Sequence, residues 1–79
     1  MNNKQILSRL PGIFYRKPSP ESEPYKKEGD KVAVNDVIGL IEVMKSFHEV
    51  RAEVSGTIVK FIAENEAPIM PGAVIAEVS

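Results

Sequence analysis

The sequence predicts an all-β domain, a flattened barrel or sandwich of two small antiparallel sheets related by an approximate internal twofold. Three observations lead there. Short apolar runs rich in Val and Ile follow one another closely, which is the spacing of strands in a sandwich or barrel. Turn signals separate them at Pro11-Gly12, Asn35-Asp36, Ser55-Gly56 and Pro71-Gly72. The chain also repeats itself weakly. Gly12–Arg16 aligns with Gly56–Lys60 at an offset of 44 residues, and Val32, Val37, Ile38 and Ile41 align with Ile69, Val74, Ile75 and Val78 at an offset of 37. The seven-residue difference puts an insertion between Lys17 and Val32, in the first half only.

Taken in order, residues 1–10 show no period and read as a flexible lead-in, with at most a marginal helix over Lys4–Leu10. The domain proper is expected over 11–79. Ile13, Phe14 and Tyr15, β-branched or aromatic after a turn, read as a strand. Pro18, Pro20 and Pro24 then exclude helix interior and central strand alike, so about 18–25 is an exposed, semi-rigid loop. Tyr25–Val34 passes from turn to strand, and Val37–Val43 is strongly β-prone. Ser46–Val54 alternates, with Val50, Ala52 and Val54 apolar between Glu49, Arg51 and Glu53, the period of a half-buried strand. Thr57–Ala63 and Ala73–Val78 are the last strands, with Glu64–Ala67 a polar connection.

Composition removes several function classes. Seventy-nine residues make one small domain, with room for a core but little for a deep substrate pocket as well. There is no cysteine, hence no disulfide, thiolate nucleophile or cysteine metal site, and the single histidine, His48, excludes a multi-histidine site. With 10 basic and 11 acidic residues the net charge is −1, and no basic stripe suits a nucleic acid. No apolar stretch is long enough to span a bilayer, and the N-terminus lacks the apolar core of a signal peptide. The chain reads as soluble and cytoplasmic. Its short stretch before Gly12 is what a separate small protein or an excised domain would have.

One place breaks a local rule. Two β-prone runs meet at Met44-Lys45, yet a two-residue hairpin turn favours Asn-Gly or Asp-Gly, because both central residues take positive φ. A pair kept there against backbone preference is kept for its side chains. A lysine at a rigid hairpin tip presents an amine that a modifying enzyme can reach and acylate, although most turn lysines are simply solvated. His48, three residues on, reads as an ordinary strand residue and Glu42 as a charge beside the turn.

The surrounding residues carry a family resemblance. Glu42-Val43-Met44-Lys45 resembles the Glu-Ala/Val-Met-Lys-Met motif of biotin carboxyl carrier domains, whose lysine is biotinylated; Lys45 holds that place. Gly12–Glu21 resembles the Gly-Thr-Phe-Tyr-Arg-x-Pro-Ser-Pro-Asp stretch of the carrier subunit of bacterial acetyl-CoA carboxylase. Gly29-Asp30-Lys31-Val32 and Ser55-Gly56-Thr57-Ile58-Val59 resemble its Gly-x-Lys-Val and Ser-Gly-Thr-Val segments. The likeness runs over about residues 10–79.

The resemblance implies biotin on Lys45, recognition of Met44 by a biotin protein ligase, and a thumb-like loop with Ser19, Pro20 and Glu21 against the biotin ring. It implies a non-catalytic carrier of fatty acid biosynthesis, charged by a biotin carboxylase using ATP and bicarbonate and discharged at a carboxyltransferase. Ser46, followed by Phe47, stands where the family commonly has a second methionine. A lipoyl carrier would share the fold, but its usual Asp-Lys-Ala tip is not Met44-Lys45-Ser46. An unmodified β interaction module is the remaining alternative, since no nucleophile–base pair, metal cluster or phosphate loop is present in the sequence.

Overall fold

The computed structural model describes residues 3–79, and every regular element in it is a strand. These are β1 (Lys4–Leu7), β2 (Gly12–Tyr15), β3 (Lys31–Val32), β4 (Val37–Val43), β5 (Ser46–Arg51), β6 (Gly56–Phe61), β7 (Ala67–Ile69) and β8 (Val74–Val78). They form two four-stranded antiparallel sheets, ordered β1-β8-β6-β3 and β5-β4-β2-β7. The expected two-sheet all-β architecture is the one found.

The sequence repeat is the symmetry of the fold. The 44-residue offset carries β2 onto β6, and the 37-residue offset carries β3 and β4 onto β7 and β8. The same 44 residues carry β1 onto the last four residues of β5, His48–Arg51. Exchanging those partners converts one sheet order into the other. Backbone bonds repeat too. Asn35 N–H donates to Ala52 O and Gly72 N–H to Ser8 O, both at 2.8 Å; Gly29 N–H donates to Ile58 O and Glu66 N–H to Phe14 O.

The core lies between the sheets and is made by equivalent positions. Phe14 and Ile58, Ile38 and Ile75, Ile41 and Val78, and Val32 and Ile69 are all buried, as alternating inward positions of two facing sheets must be. Ala52 and Ser8 form another equivalent buried pair; Ser8 is satisfied there because its Oγ donates to Leu10 O at 2.7 Å.

Two expectations need correcting. Lys4–Leu7 is neither a loose lead-in nor the start of a helix: it pairs along β8 and buries Ile6, and its ladder gives β8 a partner on that side. Met1 and Asn2 of that expected lead-in lie outside the described residues. Glu64–Ala67 is not wholly a connection, since Ala67 begins β7, which pairs with β2. Pro68 fits because β7 is an edge strand, where a missing N–H need not break a ladder.

The segment between β2 and β3 has no strand and contains the extra residues of the first half. Its base is tied down: Tyr25 N–H donates to Arg16 O at 3.0 Å, and the Arg16 guanidinium lies 4.2 Å from the centroid of the Phe61 ring. Lys26 reaches the Asp36 carboxylate at 3.4 Å, and the same oxygen accepts from Ala33 N–H at 2.8 Å. The Ala33 bond, with a smaller contribution from Lys26, holds the Asp36 carboxyl below its ordinary value of 3.8, against an opposing effect of burial. A depressed carboxyl stabilises the fold above its unfolded value and loses that contribution as pH falls through its folded value. Acid unfolding followed by circular dichroism should therefore show stability dropping below about pH 4, and Asp36→Asn should lower stability at neutral pH while flattening that acid limb.

Candidate functional site

β4 and β5 form one hairpin in continuous register from Leu40↔Glu49 to Val43↔Ser46, with Met44-Lys45 as its two-residue turn. Met44 has φ +50° and Lys45 φ +71°. Positive φ at both central positions is the turn that matches strand twist, and it costs non-glycine residues energy. Met44 is 94% exposed, so its side chain serves nothing in the core. Lys45 is exposed, and its ammonium makes no hydrogen bond or ion pair among the described residues. Among the described residues every other positive-φ position has a counterpart in the opposite half: Gly12 with Gly56, Gly29 with Glu66, and Asn35 with Gly72. The Met44-Lys45 turn has none, because it joins the halves.

Beside the hairpin a groove of about 250 Å³ lies on the outer face of the second sheet. Tyr15, Leu40 and Phe47 make its floor, alternating with the inward-facing Phe14 and Ile41. The rings of Tyr15 and Phe47 meet at 5.9 Å between centroids, tilted by 54°. Pro18, Ser19 and Pro20 of the loop, with Lys17, form one wall, and Asn65 and Glu66 complete the lining. The loop turns tightly there: Ser22 N–H donates to Ser19 O at 3.1 Å, and the two hydroxyls are 2.7 Å apart. Phe47 is two residues along the strand from Lys45, a rise of about 7 Å, so a chain extended from Lys45 can reach the groove.

Of the residues singled out in the sequence, Lys45 and Met44 stand together at the tip, while Ser19 and Pro20 line the groove. Glu21 is exposed and is not among the lining residues. His48 lies on β5, exposed, opposite Ile41. Glu42 accepts a hydrogen bond from the Tyr15 hydroxyl at 2.9 Å. That bond, then burial and the charges of Glu42 and Glu66, raises the Tyr15 phenol above its ordinary value of 10.0. Tyr15, Phe47, Asn65 and Glu66 line the groove as well, the last three without belonging to any motif in the sequence. The sequence signal is at Glu66, which stands where the 37-residue offset puts the turn glycine Gly29, and its φ is +64°.

A family model described as Biotin-requiring enzyme, Biotin_lipoyl, matches residues 4–78. The chain belongs to that family. Its relatives include biotin carboxyl carrier protein of acetyl-CoA carboxylase 2, chloroplastic, from Arabidopsis thaliana, 44% identical over 81% of this chain and 25% of that protein. The biotin carboxyl carrier protein of acetyl-CoA carboxylase of Pseudomonas aeruginosa is 36% identical over 87% of this chain and 44% of its own length. This biotin/lipoyl chain thus spans between a quarter and a half of those relatives. The urea carboxylase of Kluyveromyces lactis matches in fold across the whole chain, covering 6% of that enzyme, with a TM-score of 0.79 and 24% sequence identity.

Proposed function

We propose that this domain carries biotin covalently on Lys45 and serves as the carboxyl carrier of an acetyl-CoA carboxylase type system, without catalysing a reaction itself. The observation that carries the proposal is a lone, exposed lysine held at a strained hairpin tip in a chain of the biotin/lipoyl family. Biotin, when attached, supplies a ureido nitrogen that takes up and gives back a carboxyl group. What this chain contributes is position. The β4–β5 ladder fixes the tip, the turn aims Lys45 away from the core, and the exposed Met44 offers a biotin protein ligase a side chain to read.

The groove is the resting place for the biotin ring, with Ser19 and Pro20 of the thumb-like loop over the Tyr15–Phe47 floor and Glu21 outside it. A biotin carboxylase and a carboxyltransferase are the partners, an acyl-CoA is the final acceptor, and the setting is the cytoplasm. The plant relatives are chloroplastic by name. Among the described residues no helix is long and apolar enough to cross a membrane.

Intact mass after co-expression with a biotin ligase tests this proposal. A single biotin-sized increase is expected, absent from Lys45→Arg. A lipoyl-sized increase with a lipoylating enzyme, and none with the ligase, would instead make the chain a lipoyl carrier. No increase with either would leave an unmodified β module.

A further inference from the structure

Asn65 lines the groove with half of its amide already used. Its Oδ1 accepts from the Arg16 backbone N–H at 2.8 Å. A backbone N–H can only donate, so that bond decides which end of the amide is the oxygen. The NH2 is left with two hydrogens and no partner among the described residues. A second bond, from Glu66 N–H to Phe14 O at 2.6 Å, ties the same turn to β2, the strand that carries Tyr15 of the floor. The amide is thus held against a rigid element at the groove.

The other half of the fold shows that the acceptor role does not call for an amide. The 37-residue offset lays Glu28 on Asn65. A Glu28 carboxylate oxygen accepts from Phe61 N–H at 3.3 Å, at the end of β6, the strand that the 44-residue offset matches to β2. An ionised carboxylate brings acceptors only, whereas an amide keeps the acceptor and adds a donor. The side chains of the floor offer no donor of their own. Tyr15 gives its hydroxyl hydrogen to Glu42, and Leu40 and Phe47 are hydrocarbon. On the loop side the free donors are Lys17, on a flexible stem, and one hydroxyl hydrogen of the Ser19–Ser22 pair.

We infer that Asn65 is the specificity contact of the groove: its NH2 donates to the carbonyl oxygen of the cyclic urea of biotin when the ring lies over Tyr15 and Phe47. The inference rests on the carrier proposal above and assigns a residue to its recognition step. The urea carbonyl is a strong acceptor, and the disulfide ring of a lipoyl group has no carbonyl to offer. Loss of one such hydrogen bond lowers the bound-to-free ratio of the ring by about fivefold.

The test is NMR on the labelled full chain, natural and variant, each compared before and after biotinylation by the ligase, with intact mass reporting attachment. In the natural chain the Asn65 side-chain NH2 signals and the Phe47 amide should both move on biotinylation. Asn65→Asp keeps the acceptor for Arg16 N–H and removes the donor. The bound-to-free ratio read from the Phe47 shift should fall about fivefold in it, and Asn65→Ala should fall at least as far. Lys17→Gln should change the ratio little. A fall in Asn65→Ala that is absent from Asn65→Asp would make Asn65 a structural acceptor only and overturn the inference. So would a fall in Lys17→Gln with Asn65→Asp unaffected, since the donor would then be Lys17. Biotin attached with no movement at Asn65 or Phe47 would overturn the inference and the resting place in the groove, and leave the carrier role standing. No attachment at all would overturn the carrier proposal, and the inference with it.

Discussion

A chain with Asn-Gly in place of Met44-Lys45 should melt about 5–10 °C higher than the natural sequence and take up no biotin. A left-handed conformation costs a residue with a Cβ roughly 1–2 kcal/mol, and both turn residues adopt one, at φ +50° and +71°. Asn-Gly is the pair such a turn selects on backbone grounds. Glycine gives back part of the gain by loosening the unfolded chain, so a net of about 1–2 kcal/mol is expected, which sets the melting shift for a domain of this size. No side-chain packing is lost in return, because Met44 is almost wholly exposed and Lys45 is exposed. The measurement is calorimetry on unmodified protein, paired with intact mass after the ligase. Met44→Asn alone separates the two effects: it should gain part of the stability and keep the lysine, with slower biotin uptake if the ligase reads Met44. A double variant that melts no higher would mean that the turn carries no strain. The trade-off the prediction describes is common at functional sites, where a stabler sequence exists and is not used.

That turn was legible in the sequence because it violates a rule that depends only on neighbouring residues. So was the symmetry, since glycines and buried branched residues recur at fixed offsets: Gly12 and Gly56, Val32 and Ile69, Ile38 and Ile75. β1 was not legible by period. It buries only Ile6, leaves Leu7 43% exposed, and is held by β8 from the far end of the chain. The offset itself carries the signal, because extending the 44-residue match backwards lays Lys4–Leu7 on His48–Arg51 of β5. The groove was hidden for a related reason. Tyr15, Phe47 and Glu66 come from three separate parts of the chain, and the pairing of β4 with β5 and of β2 with both β4 and β7 brings them together.

Where the two halves differ in the core, the difference should behave as a compensated pair. Phe14 fills on one side the place that Ile58 fills on the other, and Gly39 stands where the other half has Ala76. A Cβ on Gly39 would lie 2.6 Å from Phe14 Cε1 and 2.8 Å from the Tyr15 carbonyl oxygen. The larger ring and the missing methyl therefore go together. Gly39→Ala alone should destabilise the domain by about 2–3 kcal/mol through overpacking. Phe14→Ile alone should cost about 1–3 kcal/mol through lost burial and a cavity. Together they copy the packing already present at Ile58 and Ala76. The double variant should therefore be more stable than the sum of the singles predicts, by at least about 1 kcal/mol, well above the few tenths expected of independent sites. Urea unfolding of the four proteins measures that coupling. An additive result would mean that the Tyr15 carbonyl, and not the Phe14 ring, is what forbids a side chain at Gly39. Because Phe14 O accepts from Glu66 N–H and Tyr15 follows Phe14 on β2, the same pair also sets the floor of the groove. Gly39→Ala should therefore shift the Glu66 amide in the folded protein, and the compensated double variant should return it toward its starting position.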